Sequence, residues 1–362
     1  MAIKYKWLAQ KLTALAEANL KNGVTKLPTE AELCRRYRVS RQTVRQALSL
    51  LADQGIVTSR QGSGTYLTGR FAAPSDNLVE ILVTSDQDYL YPQALHDIQK
   101  RLSEHGFSSH VSFTDNRVFA EREILTQLLS HPPRGLLAES CKSALPSPNA
   151  ELYRALVKKG TALVFLFSPC PGLSDIPCVK DDNAGGSAML VRHLAAQGHR
   201  AIAGIFKRDD IQGIERFSGF SEAMTELSLP LPDERIGWYG ASELSRLKNQ
   251  DTGFLDIFAR EVLKDCTAVV CYNDFLAYHL IGTLTRRGKR LPEEIAVAAF
   301  DNTYLSSRER LPFTTLTHEP HEMGLRAAEL MLKRLKGLPA QSQEVPWEIL
   351  IRQSTRSQFR PS

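Results

Sequence analysis

No run of eighteen or more apolar residues interrupts the 362-residue chain, so the sequence offers no membrane-spanning helix. The opening residues, Met1-Ala2-Ile3-Lys4-Tyr5-Lys6-Trp7, lack an apolar h-region and a small-residue cleavage site, which argues against secretion. Cysteine is sparse. Cys34, Cys141, Cys170, Cys178, Cys266 and Cys271 form no C-x-x-C pair and have no histidine at zinc spacing. Reduced core thiols in a cytoplasmic protein are the expectation. Also absent are a P-loop and an H-E-x-x-H metal motif. Gly62-Ser63-Gly64 lacks the strand–turn–helix setting of a catalytic elbow. These absences argue against an enzyme, a metal and a cofactor.

What is present is ordinary in bulk and uneven in distribution. Hydrophobic residues make up 43% and charged residues 23%, as in a globular protein, and the length calls for two or three domains. Residues 1–70 carry twelve Lys/Arg against four Asp/Glu, a net of +8, so the rest carries −3 of the chain's +5. A basic head on a slightly acidic body points to a polyanion partner for the head, with a solvated charged face as the plainer alternative.

In the head, Leu8, Leu12, Leu15 and Ala16 fall at helical spacing over 8–20, and Lys21-Asn22-Gly23 reads as a stop. Pro28-Thr29-Glu30-Ala31-Glu32 opens a second helix, with Thr29 as N-cap and Glu32 completing a capping box. Ser40 caps a third helix over 42–54, with Val44, Leu48 and Leu51 inward. Residues 56–60 and 65–68 read as two strands joined by Gln61-Gly62-Ser63-Gly64. The product is a winged helix: three helices and a β-hairpin wing over residues 1–70. A linker is expected over 71–78.

From residue 79 the rhythm changes. Strand-like runs at 79–84, 109–113, 135–138, 162–167, 201–206, 268–272 and 296–300 alternate with amphipathic helices at 92–105, 119–130, 149–159, 185–197, 213–227 and 274–287. Such alternation indicates parallel sheets covered on both faces. The span 79–362 exceeds one such sheet, so two α/β lobes with a cleft between them are expected.

The head's segments Leu27-Pro28-Thr29-Glu30, Val39-Ser40-Arg41-Gln42-Thr43-Val44-Arg45-Gln46-Ala47-Leu48 and Arg60-Gln61-Gly62-Ser63-Gly64-Thr65-Tyr66 resemble the GntR family of bacterial regulators. A helix fits the DNA major groove with its N-terminal residues at the base edges. That places Arg41, Gln42, Thr43, Arg45 and Gln46 as base readers, with Ser40 and Thr43 suited to phosphate oxygens. Gln61, Gly62 and Ser63 fall at the wing tip, for the minor groove. Lys4 and Tyr5 touch the DNA backbone, as the resemblance implies. Glu30 either accepts from a cytosine amino group or serves as a first-turn helix-dipole carboxylate. Arg35, Arg36 and Arg38 read as a solvated face.

The body resembles the LacI/GalR-type effector domain, itself similar to periplasmic sugar-binding proteins. The resemblance rests on Asp182-Asn183-Ala184-Gly185-Gly186, Arg216-Phe217-Ser218-Gly219-Phe220, Ala268–Asp274, Pro292–Asn302 and Pro312–His318. A GntR-type head on such a body resembles the arabinose-operon repressors of Gram-positive bacteria. It implies operator DNA as one partner, a sugar effector (L-arabinose first) as another, and a homodimer. Other pentoses, hexoses or purines remain alternative ligands, and a sugar receptor that does not act on DNA is the alternative function. The resemblance places Arg216, Asn273 and Asp301 on sugar hydroxyls, with Asp181 and His318 at matching positions. Glu139, Lys207 and Gln212 join them from the arabinose-type segments, and Tyr91 or Tyr89 either stacks on a sugar face or packs. Phe167 stands where lac-type relatives have an acidic sugar contact, so lactose-like or galactose-like specificity does not carry over. Phe167 and Trp238 read as core or cleft wall, and His193 and His199 as structural.

Overall fold

Helix starts in the head are fixed by side chains written beside them. The computed structural model describes residues 2–21, 24–53, 56–60, 64–67, 77–85, 91–308 and 311–356. Helices α1 (Ala2–Lys21), α2 (Glu30–Tyr37) and α3 (Arg41–Asp53) precede an antiparallel pair, β1 (Val57–Arg60) and β2 (Gly64–Leu67). The capping box forms: Thr29 Oγ1 accepts from the Glu32 N–H at 3.3 Å, and Glu32 Oε2 accepts from the Thr29 N–H at 2.7 Å. Arg38 ends α2 in the left-handed region at φ 52°. Ser40 Oγ accepts from the Thr43 N–H at 3.2 Å and starts α3.

α1 begins six residues before the predicted start, because Tyr5, Leu8, Ala9 and Leu12 form one continuous apolar stripe. Leu8, Leu12, Leu33, Val44, Leu51 and Val57 close the head's core. The predicted stop at Asn22-Gly23 and the wing tip lie outside the described residues.

The chain divides into two compact units, Met1–Asp76 and Asn77–Ser362. The second begins with β3 (Leu78–Val83), so Leu78, predicted to end the linker, already pairs with Ser108 in a sheet.

The first lobe continues through α4 (Tyr91–Glu104), β4 (Ser108–Phe113), α5 (Val118–Ser130), β5 (Gly135–Ala138), α6 (Ala150–Lys158), β6 (Ala162–Leu166) and β7 (Cys178–Asp181). The second holds α7 (Asn183–Ala196), β8 (Ile202–Lys207), α8 (Ile211–Glu226), β9 (Ile236–Tyr239), α9 (Ala241–Lys248), α10 (Gly253–Glu261), β10 (Ala268–Cys271), α11 (Asp274–Arg286), β11 (Ala296–Phe300), α12 (Leu305–Arg308) and β12 (Thr314–Thr317). The chain then returns through α13 (Glu322–Leu335) and β13 (Gln343–Val345) to the first lobe, and crosses again to β14 (Glu348–Leu350).

Strand orders are β13-β7-β6-β5-β3-β4 and β14-β12-β11-β10-β8-β9. Every pair in these two sheets is parallel except β12–β14. Three crossovers therefore join the lobes: after Asp181, after Thr317 and at Pro346-Trp347. Parallel strands buried on both faces read as unbroken apolar runs, which is why β5, β10 and β11 match the sequence to within a residue or so.

Candidate functional site

Two places gather the predicted residues. On α3, Val44, Ala47, Leu48 and Leu51 face the core. Arg41, Gln42, Arg45 and Gln46 are exposed as two i,i+4 pairs, a free edge at the helix's N-terminal half. Thr43 is half-buried, and its hydroxyl lies 2.9 Å from that of Ser40. Glu30 stands in the first turn of α2, the helix-dipole position, and its carboxylate also accepts from Arg45 Nε at 3.0 and 3.2 Å, across the gap between α2 and α3. Arg35, Arg36 and Arg38 are exposed.

Tyr5 is half-buried against the head's core. Gly64, at φ +116°, enters β2 where a Cβ would lie 2.8 Å from Lys26 Cε. Lys26 was missed by the sequence reading, and its Nζ sits 5.5 Å from the Tyr66 ring centre. The side chains of Lys4 and Tyr91, and all of Gln61, Gly62, Ser63 and Tyr89, lie outside the described residues.

In the body, Glu139, Asp181, Lys207, Gln212, Arg216, Asn273, Asp301 and His318 line one cavity of about 580 Å³ between the lobes. Most stand where a strand ends or a helix begins. Asn273 caps α11, its Oδ1 accepting from the Leu276 N–H at 3.0 Å. Asp301 follows β11 at φ +100°, a left-handed position in a buried non-glycine residue. Glu139 follows β5 and accepts from the backbone N–H and the hydroxyl of Thr84, each at 2.9 Å.

Arg216 is the centre of this arrangement. It projects from α8, which passes close to α7 because Gly219 has no Cβ; one there would lie 2.0 Å from Ala184 O. Its Nε donates to Asn183 Oδ1 at 2.9 Å, and another nitrogen donates to the Tyr272 carbonyl. Asp301 stands 3.6 Å away and Asp181 3.9 Å. The guanidinium lies 4.1 Å from the Phe300 ring centre and 4.7 Å from that of Tyr272. Burial works against its charge, but Asp301, Tyr272 and Asp181 raise its pKa above the ordinary value.

Asp210 organises a second cluster that the sequence reading did not single out. It caps α8, its Oδ1 accepting from the Gln212 N–H at 3.0 Å. Its Oδ2 accepts from Lys207 Nζ at 3.2 Å. The Tyr272 hydroxyl lies 2.9 Å from Asp210 and 3.0 Å from Gln212 Oε1, sharing one hydrogen between them. Burial opposes both charges, yet each holds the other ionised: Asp210 is lowered by Lys207, and Lys207 is raised by Asp210 and Asp209. Aspartate before a helix is a readable cap signal; Tyr272 carried none, because its partners are sixty residues away.

His318 sits where all three crossovers meet. Its Nε2 donates to Asp181 at 2.9 Å and its Nδ1 to the Pro346 carbonyl at 2.8 Å. A backbone carbonyl and an ionised carboxylate both accept, an arrangement that favours the doubly protonated ring. Burial opposes this charge, but the bond to Asp181 raises the pKa. Trp347 stacks beneath it at 3.7 Å.

Phe167 is buried at φ +62°, lines the cavity, and accepts from Gln212 Nε2 at 3.3 Å through its carbonyl. Trp238 instead packs on Phe217, 5.1 Å between ring centres, away from the cavity lining. His193 bonds to Thr355 at 2.7 Å and His199 to Thr267 at 2.9 Å, packing contacts within the second lobe. The cysteine thiols are free; burial pushes that of Cys141 up to about 12.

A winged helix with an exposed reading helix and a two-lobed body with a polar interlobe cleft define a DNA-binding transcriptional regulator. Residues 5–67 match the model for bacterial regulatory proteins of the gntR family, and residues 191–355 match the periplasmic binding protein-like domain. The arabinose metabolism transcriptional repressor of Geobacillus stearothermophilus is 32% identical over 342 residues, covering 92% of this chain and 91% of that protein. The protein of the same description from Halalkalibacterium halodurans is 31% identical over 340 residues, covering 92% and 89%. The chain belongs to this family of transcriptional repressors, which are not enzymes. A solved periplasmic binding protein/LacI transcriptional regulator from Alkaliphilus metalliredigens QYMF, complexed with D-xylulofuranose, shares the body's fold. Its TM-score is 0.64 at 20% identity, covering 78% of this chain and 100% of that one.

Proposed function

We propose that this repressor controls L-arabinose utilisation genes and leaves its operator when L-arabinose enters the interlobe cleft, working as a cytoplasmic homodimer. Residues 1–70 serve as the DNA-binding domain, joined through 71–78 to an effector domain over 79–362. The observation that carries the effector reading is the convergence of eight polar side chains on one interlobe cavity, with Arg216 held between Asp181 and Asp301.

Carboxylates outnumber cations in this lining, so an anionic ligand is disfavoured against a neutral one. A pentose brings hydroxyls that donate and accept, and hydrogen bonds from them to ionised groups are the stronger kind. Glu139, Asp181, Lys207, Gln212, Arg216, Asn273, Asp301 and His318 are assigned to that ring. Two relatives of this length are named for arabinose metabolism, and a fold neighbour holds a pentulose.

On the head, Arg41, Gln42, Arg45 and Gln46 are assigned to bases, and Ser40 and Thr43 to phosphate. Coupling runs through the three crossovers: sugar that changes the interlobe angle changes the spacing of two heads on a two-fold operator. Linkage then requires that DNA weaken sugar binding by the same factor. Titrating operator DNA with and without saturating L-arabinose tests this. A fall in affinity of about 5- to 150-fold is expected; unchanged affinity overturns the arabinose assignment.

A further inference from the structure

The cavity is larger than one pentose. Ten non-hydrogen atoms, at about 15–20 Å³ each in a well-packed interior, occupy about 150–200 Å³, against the cavity's 580 Å³. On the α8 side the lobes already meet. There the Ile211 N–H donates to Ser143 Oγ at 3.1 Å, and Gln212 donates to the Phe167 carbonyl.

The remaining lining mixes polar and apolar side chains from both lobes. From the first lobe come Gln93 and Asp97 beside Ala94 and Met323; from the second come Leu244 and Phe275 beside Ser245 and Lys248. Asp97 is buried, and its carboxylate is held by Gln93 Nε2 at 3.1 Å and His321 Nδ1 at 3.0 Å. His321 itself is at φ +70°, a strained position for a non-glycine residue, where α13 begins. Phe275 and Leu244 are half-buried beside the second lobe's core and present apolar surface. Polar and apolar side chains set beside one another suit a sugar ring, whose edge is hydroxylated and whose faces are C–H. The cavity walls carry eight carboxylates against three Lys and Arg, so a phosphorylated ligand is disfavoured and a neutral one favoured.

We infer that the cleft has an outer subsite for a second sugar ring, so that the effector class extends to neutral pentose disaccharides, bound more tightly than the free monosaccharide. This rests on the reading of the inner cavity as a pentose site.

Calorimetric titration of the full chain with L-arabinose and with α-1,5-linked L-arabinobiose tests it. The disaccharide is expected to bind about tenfold more tightly or better. Ser245→Trp, a change at an exposed position that fills the outer space, should collapse that ratio towards one. Phe275→Ala, which removes apolar surface from the lining, should reduce it as well. Disaccharide binding no tighter than arabinose overturns the inference and leaves the arabinose reading standing. A tighter disaccharide whose advantage survives both substitutions overturns the outer location. Binding of neither sugar overturns both readings.

Discussion

In the head, Arg45 and Glu30 meet at 3.0 Å with side chains 69% and 38% exposed. In the body, Arg216 stands between Asp181 and Asp301 with all three side chains at 10% exposure or less. An exposed pair is screened by water and contributes about 0–1 kcal/mol, so Arg45 can exchange Glu30 for a nucleic-acid acceptor at little cost. A buried cluster has no such freedom. Removing one member strands the others without solvent, whatever the cluster's net contribution. The surface proposed to read a polyanion is thus separable from stability, and the surface proposed to sense a small molecule is not.

The strongest way to break this contrast is Arg216→Met. It leaves Asp181 and Asp301 facing each other in a buried site, and the expected loss is about 3–5 kcal/mol of stability. Urea denaturation of the full chain measures it, together with the double variant Arg216→Met/Asp301→Asn, which should regain part of the loss. A cost below about 1 kcal/mol would mean that the body's charges are as well screened as the head's.

Arg45→Ala sharpens the other side. Operator affinity should fall by about 1–3 kcal/mol if this residue reads a base, while the unfolding midpoint in urea stays close to that of the unaltered chain. An unchanged base preference in a binding-site selection would remove Arg45 from the readers and leave it a partner of Glu30 alone.

The same contrast explains what the sequence could carry. The head's helices, caps and outward-facing α3 residues were legible because each rests on neighbours within a few positions: Thr29 with Glu32, Ser40 with Thr43, Val44 with Leu48. The buried parallel strands were legible as apolar runs. The cleft was legible only as a set of residues at strand ends, with the resemblance supplying which ones. Its internal wiring was not. Tyr272 with Asp210, His318 with Asp181 and Trp347, and Gln212 with the Phe167 carbonyl join residues 45 to 137 positions apart or on separate crossovers. No local spacing encodes such pairs. The short strands β7, β9, β12, β13 and β14 escaped because polar residues or a glycine interrupt the apolar run by which β5 and β10 could be read.

The smallest expected effect concerns pH, and it again divides the two regions. None of the nine histidines falls in residues 1–70, so any change between roughly pH 5.5 and 8.5 belongs chiefly to the body. Burial opposes the charge on His318, but Asp181 raises its pKa above the ordinary 6.5. A group raised on folding contributes stability that is fully present below its unfolded value and is lost as pH rises through the folded one. The stability difference between the unaltered chain and His318→Gln should therefore be largest below about pH 6.5 and shrink above it. His193, His199 and His279 are lowered by burial and act in the opposite sense, so the difference between the two chains, rather than either curve alone, isolates His318. Urea midpoints of both chains across that range decide the matter. A difference that grows with rising pH, or stays flat, would mean that the ring at the three crossovers is neutral, with Asp181 or a reoriented ring supplying the missing hydrogen.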